Sequence, residues 1–259
     1  MHSRLLTANV LFFLAAAAIA QQTEQKPRWQ PAWPCTGKEP SFDPSYLHVA
    51  ESTGGQLFLF DRSEAARSMG LINATAKHPA TIARAVGKLE KQFEDVRVPV
   101  DSTVDSLLIA ASLQCMTRIT LYNPASEEMK PADNLQFRAG RIATIPNPQP
   151  GVWTVRIEGA GPYSISAQAH TTFWIHNVEL AADHTASVTI NSPTPGVRFK
   201  LIDAPASASQ SLALIEAGAN RYSGTVISGF PQFRIVAEGT DEQGYAFQRV
   251  YPRLLEAKP

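Results

Sequence analysis

Between Asn147 and His170 the chain reads NPQPGVWTVRIEGAGPYSISAQAH, and this stretch restricts the fold more than any other. Successive side chains of an extended chain point to opposite faces, so Trp153, Val155 and Ile157 share one side and Thr154, Arg156 and Glu158 the other. After Gly159-Ala160-Gly161-Pro162 the pattern resumes with Tyr163, Ile165, Ala167 and Ala169. It predicts a β-hairpin that turns at the Gly-Ala-Gly-Pro segment and keeps one face dry. A wide indole among small apolar groups needs a second sheet above it, so the predicted unit is a sandwich.

The runs preceding this stretch fit the same unit. SLLIAASL, RITLYNP and LQFRAGRIATIPN are short, rich in β-branched residues, and punctuated by Gly or by Asn-Pro at Asn123 and Asn147. Seven further strands are expected over Phe173 to Leu180, Ala186 to Asn191, Val197 to Asp203, Ser211 to Glu216, Arg221 to Ile227, Gln232 to Gly239 and Ala246 to Tyr251. Their spacing is that of a second, immunoglobulin-like sandwich, without the antibody pattern of Cys and Trp. The chain therefore reads as mainly β: two consecutive antiparallel β-sandwiches, 96–170 and 171–259, preceded by a short α/β or helical segment at 45–95.

In that segment Asp43-Pro44 opens a helix, Gly54-Gly55 stops it, and Gln56 to Phe60 reads as a strand. Arg62 to Gly70 reads as a short helix. Pro79 to Asp95 reads as a longer one, because Ile82, Val86, Leu89 and Phe93 recur at helical spacing while Arg84, Lys88, Lys91 and Glu94 fall elsewhere.

Residues 1–20 carry Arg4, an apolar run from Val10 to Ile19 and a small-residue exit, as a cleavable signal peptide does. Nothing later is apolar for long enough to span a bilayer. A secreted or periplasmic protein is expected, with residues 21–44 as a Pro-rich linker or tail. An oxidising compartment would join the two cysteines, Cys35 and Cys115, closing a loop of roughly 80 residues worth about 4 kcal/mol in the chain-entropy model. The alternative is two separate thiols, with Cys115 a plain core residue. Lys plus Arg (23) equal Asp plus Glu (23), which argues against a nucleic-acid partner.

Two stretches resemble known families. YLHVAESTGGQLF is similar to the last helix and strand of von Willebrand factor A domains, but Asp43-Pro44-Ser45-Tyr46-Leu47 lacks their Asp-x-Ser-x-Ser metal signature, so no metal ligand is implied. VPVDSTVDSLLI, LYNP and NPQPGVWTVRIEGAGPYSISAQA resemble the galactose-binding-domain-like sandwich of hemicentins, over about Val96 to His170. FRIVAEGTDEQGYAFQRVYP resembles the end of the sandwich that follows it there. The resemblance implies shape; it supplies no residue for a sugar.

Chemistry is sparse. No Gly-x-Ser-x-Gly, His-Glu-x-x-His, P-loop or dinucleotide fingerprint occurs, and no cofactor is expected. His170, His176 and His184, with Asp183, raise a metal site only if strand breaks did not separate them; no metal is expected. Glu127-Glu128 and Asp241-Glu242 read as solvated loop charge, and Asn73-Ala74-Thr75 has the form of a glycosylation sequon. The expected function is non-enzymatic adhesion or extracellular interaction with a protein, through loops such as Asn123 to Asn134 or Ala204 to Gln210. The alternatives are a carbohydrate-binding module stacking sugars on Trp29, Trp33 and Trp174, or a hydrolase whose site the sequence does not show.

Overall fold

The computed structural model describes residues 43–59, 62–90, 92–131, 133–192 and 196–257. The signal peptide, Trp29, Trp33, Cys35 and nearly all of the Pro-rich tail lie outside the described residues.

Helix α1 (Pro44–Thr53) starts as its sequence dictates. Pro44 supplies the fixed φ of the first turn, and the Asp43 carboxylate accepts from the Ser45 amide at 2.8 Å. Gly54, at φ 78°, ends it in the left-handed region. The strand expected at Gln56 to Phe60 does not form: residues 55–59 carry no regular structure, and Phe58 instead packs edge-on against Phe137 at 5.2 Å. A 3-10 helix (Arg62–Ser68) runs into α2 (Met69–Ala76), which buries Leu71 against Leu108, Ala110 and Ile142.

The helix expected over Pro79 to Asp95 is corrected to two strands, β1 (Ala80–Leu89) and β2 (Phe93–Val100). The first sandwich thus begins at Ala80, inside the segment read as helical. Its remaining strands are β3 (Ser106–Tyr122), β4 (Glu128–Met129), β5 (Asp133–Phe137), β6 (Gly140–Pro146) and β7 (Gly151–His170), in the order β1-β7-β3-β6-β5 with β2 on β7 and β4 on β3.

The predicted hairpin is also corrected. Gly151 to His170 is one strand of 20 residues, not two strands and a turn. The face assignment holds: Trp153, Val155, Ile157, Tyr163, Ile165, Ala167 and Ala169 are all buried in one core. What Gly159 to Pro162 provides is a corner. Val100 pairs with Gly151 and Ser106 with His170, so the two ends of β7 are joined by residues 101–105. A straight strand of that length would span roughly 60 Å, whereas those linking residues reach about 20 Å at most. The sheet must therefore curl back upon itself, and it does so where the β3 to β7 register slips between Leu113 and Arg118. Gly159 (φ 143°) and Gly161 (φ 91°) occupy the bend.

The second unit contains the seven expected strands, with small shifts. They appear as eight strands: β8 (Ile175–Leu180), β9 (Thr185–Ile190), β10 (Arg198–Ile202), β11 (Ser209–Leu212), β12 (Ile215–Gly218), β13 (Arg221–Thr225), β14 (Gln232–Thr240) and β15 (Ala246–Val250). The run Ser211 to Glu216 is divided between β11 and β12, and a short β16 (Leu255–Glu256) is added. Two antiparallel sheets, β11-β10-β14-β15 and β12-β13-β9-β8, enclose Val188, Ile190, Leu201, Phe233 and Ile235.

The two units are joined by buried charge. The outer face of β14 carries Arg234 toward α1, and β1 carries Arg84 toward the same helix. Between them sits Glu51 of α1, only 2% exposed. One Glu51 oxygen accepts from Arg84 Nη2 at 2.6 Å and Nε at 3.1 Å; the other pairs with the Arg234 guanidinium. Burial pushes the pKa of both arginines down to about 10, still far enough above neutrality to keep them charged. A second pair, Arg249 Nη1 to Asp101 Oδ2 at 2.7 Å, is equally dry, and Arg249 Nε donates to the Phe173 carbonyl at 2.7 Å. Bonds to backbone carbonyls reinforce the joint: the Gln248 side chain donates to the Ile82 carbonyl at 2.9 Å, and the Leu254 amide to the Glu51 carbonyl at 2.8 Å.

Candidate functional site

Two surfaces of the first sandwich gather side chains beyond what its core requires. One is a groove of about 790 Å³ between the end of α2 and the strand ends of the sheet. Its walls include Asn73, Lys77, His78, Asp105, Ser106, Thr144 and His170, over an apolar floor of Leu135 and Ile142. The chain leaves α2 at Lys77 and must enter β1 at Ala80; Pro79 stops the helix and His78 fills the gap.

His78 is 5% exposed and fully engaged. Its Nδ1 lies 2.6 Å from the Ala74 carbonyl and its Nε2 lies 2.9 Å from Ser106 Oγ. A carbonyl only accepts, so Nδ1 carries the proton, and Nε2 of the neutral ring accepts from Ser106. Burial lowers the His78 pKa, and His170 and Lys77 add to the effect, while the Ala74 carbonyl and Asp105 oppose it. The ring is neutral at pH 7. Beside it, exposed His170 Nδ1 meets both Asp105 oxygens at 2.8 Å.

The other surface lies on the outward face of β2, β7 and β3. Asp95 grips Arg156 through two contacts of 2.7 and 2.6 Å, and the guanidinium lies 4.4 Å from the Phe93 ring and 5.5 Å from the Tyr122 ring. A bidentate carboxylate and two aromatic rings hold the arginine in one pose, and Phe93 is 45% exposed.

The candidates read from the sequence scatter by comparison. His170 is in the groove, His176 is exposed on β8, and His184 sits in a turn at φ 66°; among the described residues no three His, Cys, Asp or Glu groups stand close enough for a metal. Trp174 packs against the first core, partly buried. Cys115 is 2% exposed inside β3. The Asn123 loop is a tight turn in which the Asn123 side chain accepts from the Glu127 amide at 2.9 Å. The Ala204 loop is partly inside the joint, its first carbonyl accepting from Arg234 Nη1 at 3.0 Å. Sequence reasoning missed His78, Ser106 and the Phe93 to Tyr122 stack, since nothing local marks residues brought together by strand register.

Residues 80–172 match the hemicentin galactose-binding domain-like family. The match begins at the corrected start of β1 and ends just beyond β7, so it covers the whole curled sheet and about a third of the chain. No curated protein matches the chain. Among solved structures, similarity is found to a Bacillus licheniformis lipase in its propeptide form, with 13% identity and a TM-score of 0.35 over 67% of this chain. It is also found to a DUF4785 family protein from Legionella pneumophila, with 12% identity and a TM-score of 0.36 over 65%. A β-glucuronidase from Ruminococcus gnavus follows, with 14% identity and a TM-score of 0.21 over 61%. The chain spans 43%, 64% and 35% of those proteins respectively, less than two thirds of each. A galactose-binding-like sandwich fits a carbohydrate-binding or a protein-interaction module. No helix among the described residues is long and apolar enough to cross a membrane.

Proposed function

We propose that the chain is an exported protein-interaction module whose galactose-binding-like sandwich binds a partner protein through the Phe93, Arg156 and Tyr122 face. The observation that carries this reading is the fixed pose of Arg156. Arginine and aromatic side chains dominate protein-binding hot spots, and a guanidinium already immobilised between two rings loses little entropy when a partner arrives. A glycan finds less here, because Arg156 lies over the ring faces on which a sugar would stack. The A-domain-like stretch and an immunoglobulin-like second sandwich would extend the hemicentin resemblance beyond the matched residues.

Placing a photo-reactive residue at position 97, beside the stack, and cross-linking in the native host tests this. A single protein adduct is expected, lost on Phe93→Ala or Arg156→Ala; an adduct that survives both changes, or one carrying glycan alone, contradicts the reading. Export and the Cys35 to Cys115 bond belong to the same proposal. The mature chain is expected to begin at Gln21 with a mass two hydrogens below the reduced form, and an intact mass matching free thiols would refute the bond.

A further inference from the structure

We propose that Ser106 is a nucleophile activated by His78, and that the groove around it transfers acyl groups from small esters to water. This activity is separate from the Phe93 face and uses none of its residues.

The geometry has the three parts that nucleophilic catalysis requires: a hydroxyl, a base within hydrogen-bond reach, and a group that orients the base. Ser106 Oγ is 2.9 Å from His78 Nε2, and the Ala74 carbonyl, 2.6 Å from Nδ1, fixes the tautomer that leaves Nε2 bare. Ser106 is half-buried and lines the groove wall, while the His78 ring beside it is almost wholly shielded from water. The carbonyl of Ala74 is one of the last of α2, at the negative end of the helix dipole, where a transient imidazolium is stabilised. Asp105 favours the same charge. Lys77 and Asn73 line the groove and bring donors for the negative charge that develops on a carbonyl oxygen. Leu135 and Ile142 provide an apolar floor for a short acyl chain.

In the first step Ser106 Oγ attacks the ester carbonyl carbon while its proton passes to His78 Nε2. The carbon to alkoxy-oxygen bond then breaks, and the alcohol leaves with the proton that His78 had taken. Water attacks the acyl-Ser106 carbonyl, His78 accepts a proton from it, and collapse releases the carboxylic acid as the proton returns to Ser106. The sum is ester plus water giving acid plus alcohol.

The experiment treats the whole purified chain with a fluorophosphonate, whose phosphorus bonds to Oγ as fluoride leaves, and follows p-nitrophenyl acetate hydrolysis in parallel. A single adduct at Ser106 is expected, absent in Ser106→Ala. His78→Gln keeps a hydrogen-bond partner but removes the base, and should slow labelling and hydrolysis by about 10²-fold or more. Circular dichroism confirms that each variant folds. Because His78 must be neutral to act, both rates should be at full value at pH 7 and fall below the ordinary histidine pKa of 6.5. Folded protein that reacts no faster than Ser106→Ala, or an adduct at another serine, overturns the proposal.

Discussion

Replacing Glu51 by Gln is expected to cost about 3–5 kcal/mol of stability, the range for removing one partner of a buried ion pair. Two guanidinium groups, Arg84 and Arg234, would then share a dry joint with no carboxylate between them. Desolvation already opposes each charge, and without Glu51 only the backbone carbonyls of Gly54, Gly55 and Ala204 remain to accept from the two guanidinium groups. Urea denaturation followed by tryptophan fluorescence reads the loss directly. The companion experiment replaces Glu51, Arg84 and Arg234 together by Leu, Met and Met. Well-packed apolar triads often equal or exceed the ionic ones they replace, so this variant should recover most of the lost stability. If Glu51→Gln shifts the midpoint by less than the error of the measurement, the joint is not held as described.

Gly159→Val is expected to be nearly as damaging, at about 3–5 kcal/mol from strain and overpacking combined. At φ 143° the backbone suits glycine, and a Cβ there would collide with the Cys115 carbonyl and lie 2.9 Å from Leu113 Cδ2. The bend that lets residues 101–105 connect the two ends of β7 would have to open. Gly244 provides the comparison: at φ 88° with nothing within 4 Å, Gly244→Ala carries strain alone and should cost about 1 kcal/mol. Thermal denaturation of both variants separates the two causes. Equal losses would mean that the corner is not closely packed.

The strands with one wet face were legible in the sequence. In β7 the inward residues alternate cleanly with Thr154, Arg156 and Glu158, and the same holds for β9, where Ala186, Val188 and Ile190 are buried. β1 was not legible, because both of its faces are covered. Seven successive residues from Ala80 to Val86 are buried, which erases the period of two. The spacing of Ile82, Val86, Leu89 and Phe93 then imitates a helix, and Arg84, read as its polar side, is a buried charge paired with Glu51 in the joint. The turn read at Gly159 was the right residue chemistry in the wrong role. Glycine and proline signal that the chain bends, but only pairing with β3 shows that hydrogen bonding continues through the bend.

The sites were less legible than the fold for a related reason. Glu51 meets Arg234, Asp101 meets Arg249 and Ser106 meets His78 across separations that no periodicity encodes. Isolated in the sequence, each looks like a solvated polar residue. In the sequence His170 stands out only as one of three histidines weighed together for a metal, and its partner is Asp105, 65 positions away.

Buried charge makes the two sandwiches one body, and scanning calorimetry of the whole chain tests this most directly. One cooperative transition, with calorimetric and van't Hoff enthalpies equal, is predicted for the wild-type protein, and two separable transitions for Glu51→Gln. Two transitions in the wild-type protein would contradict it.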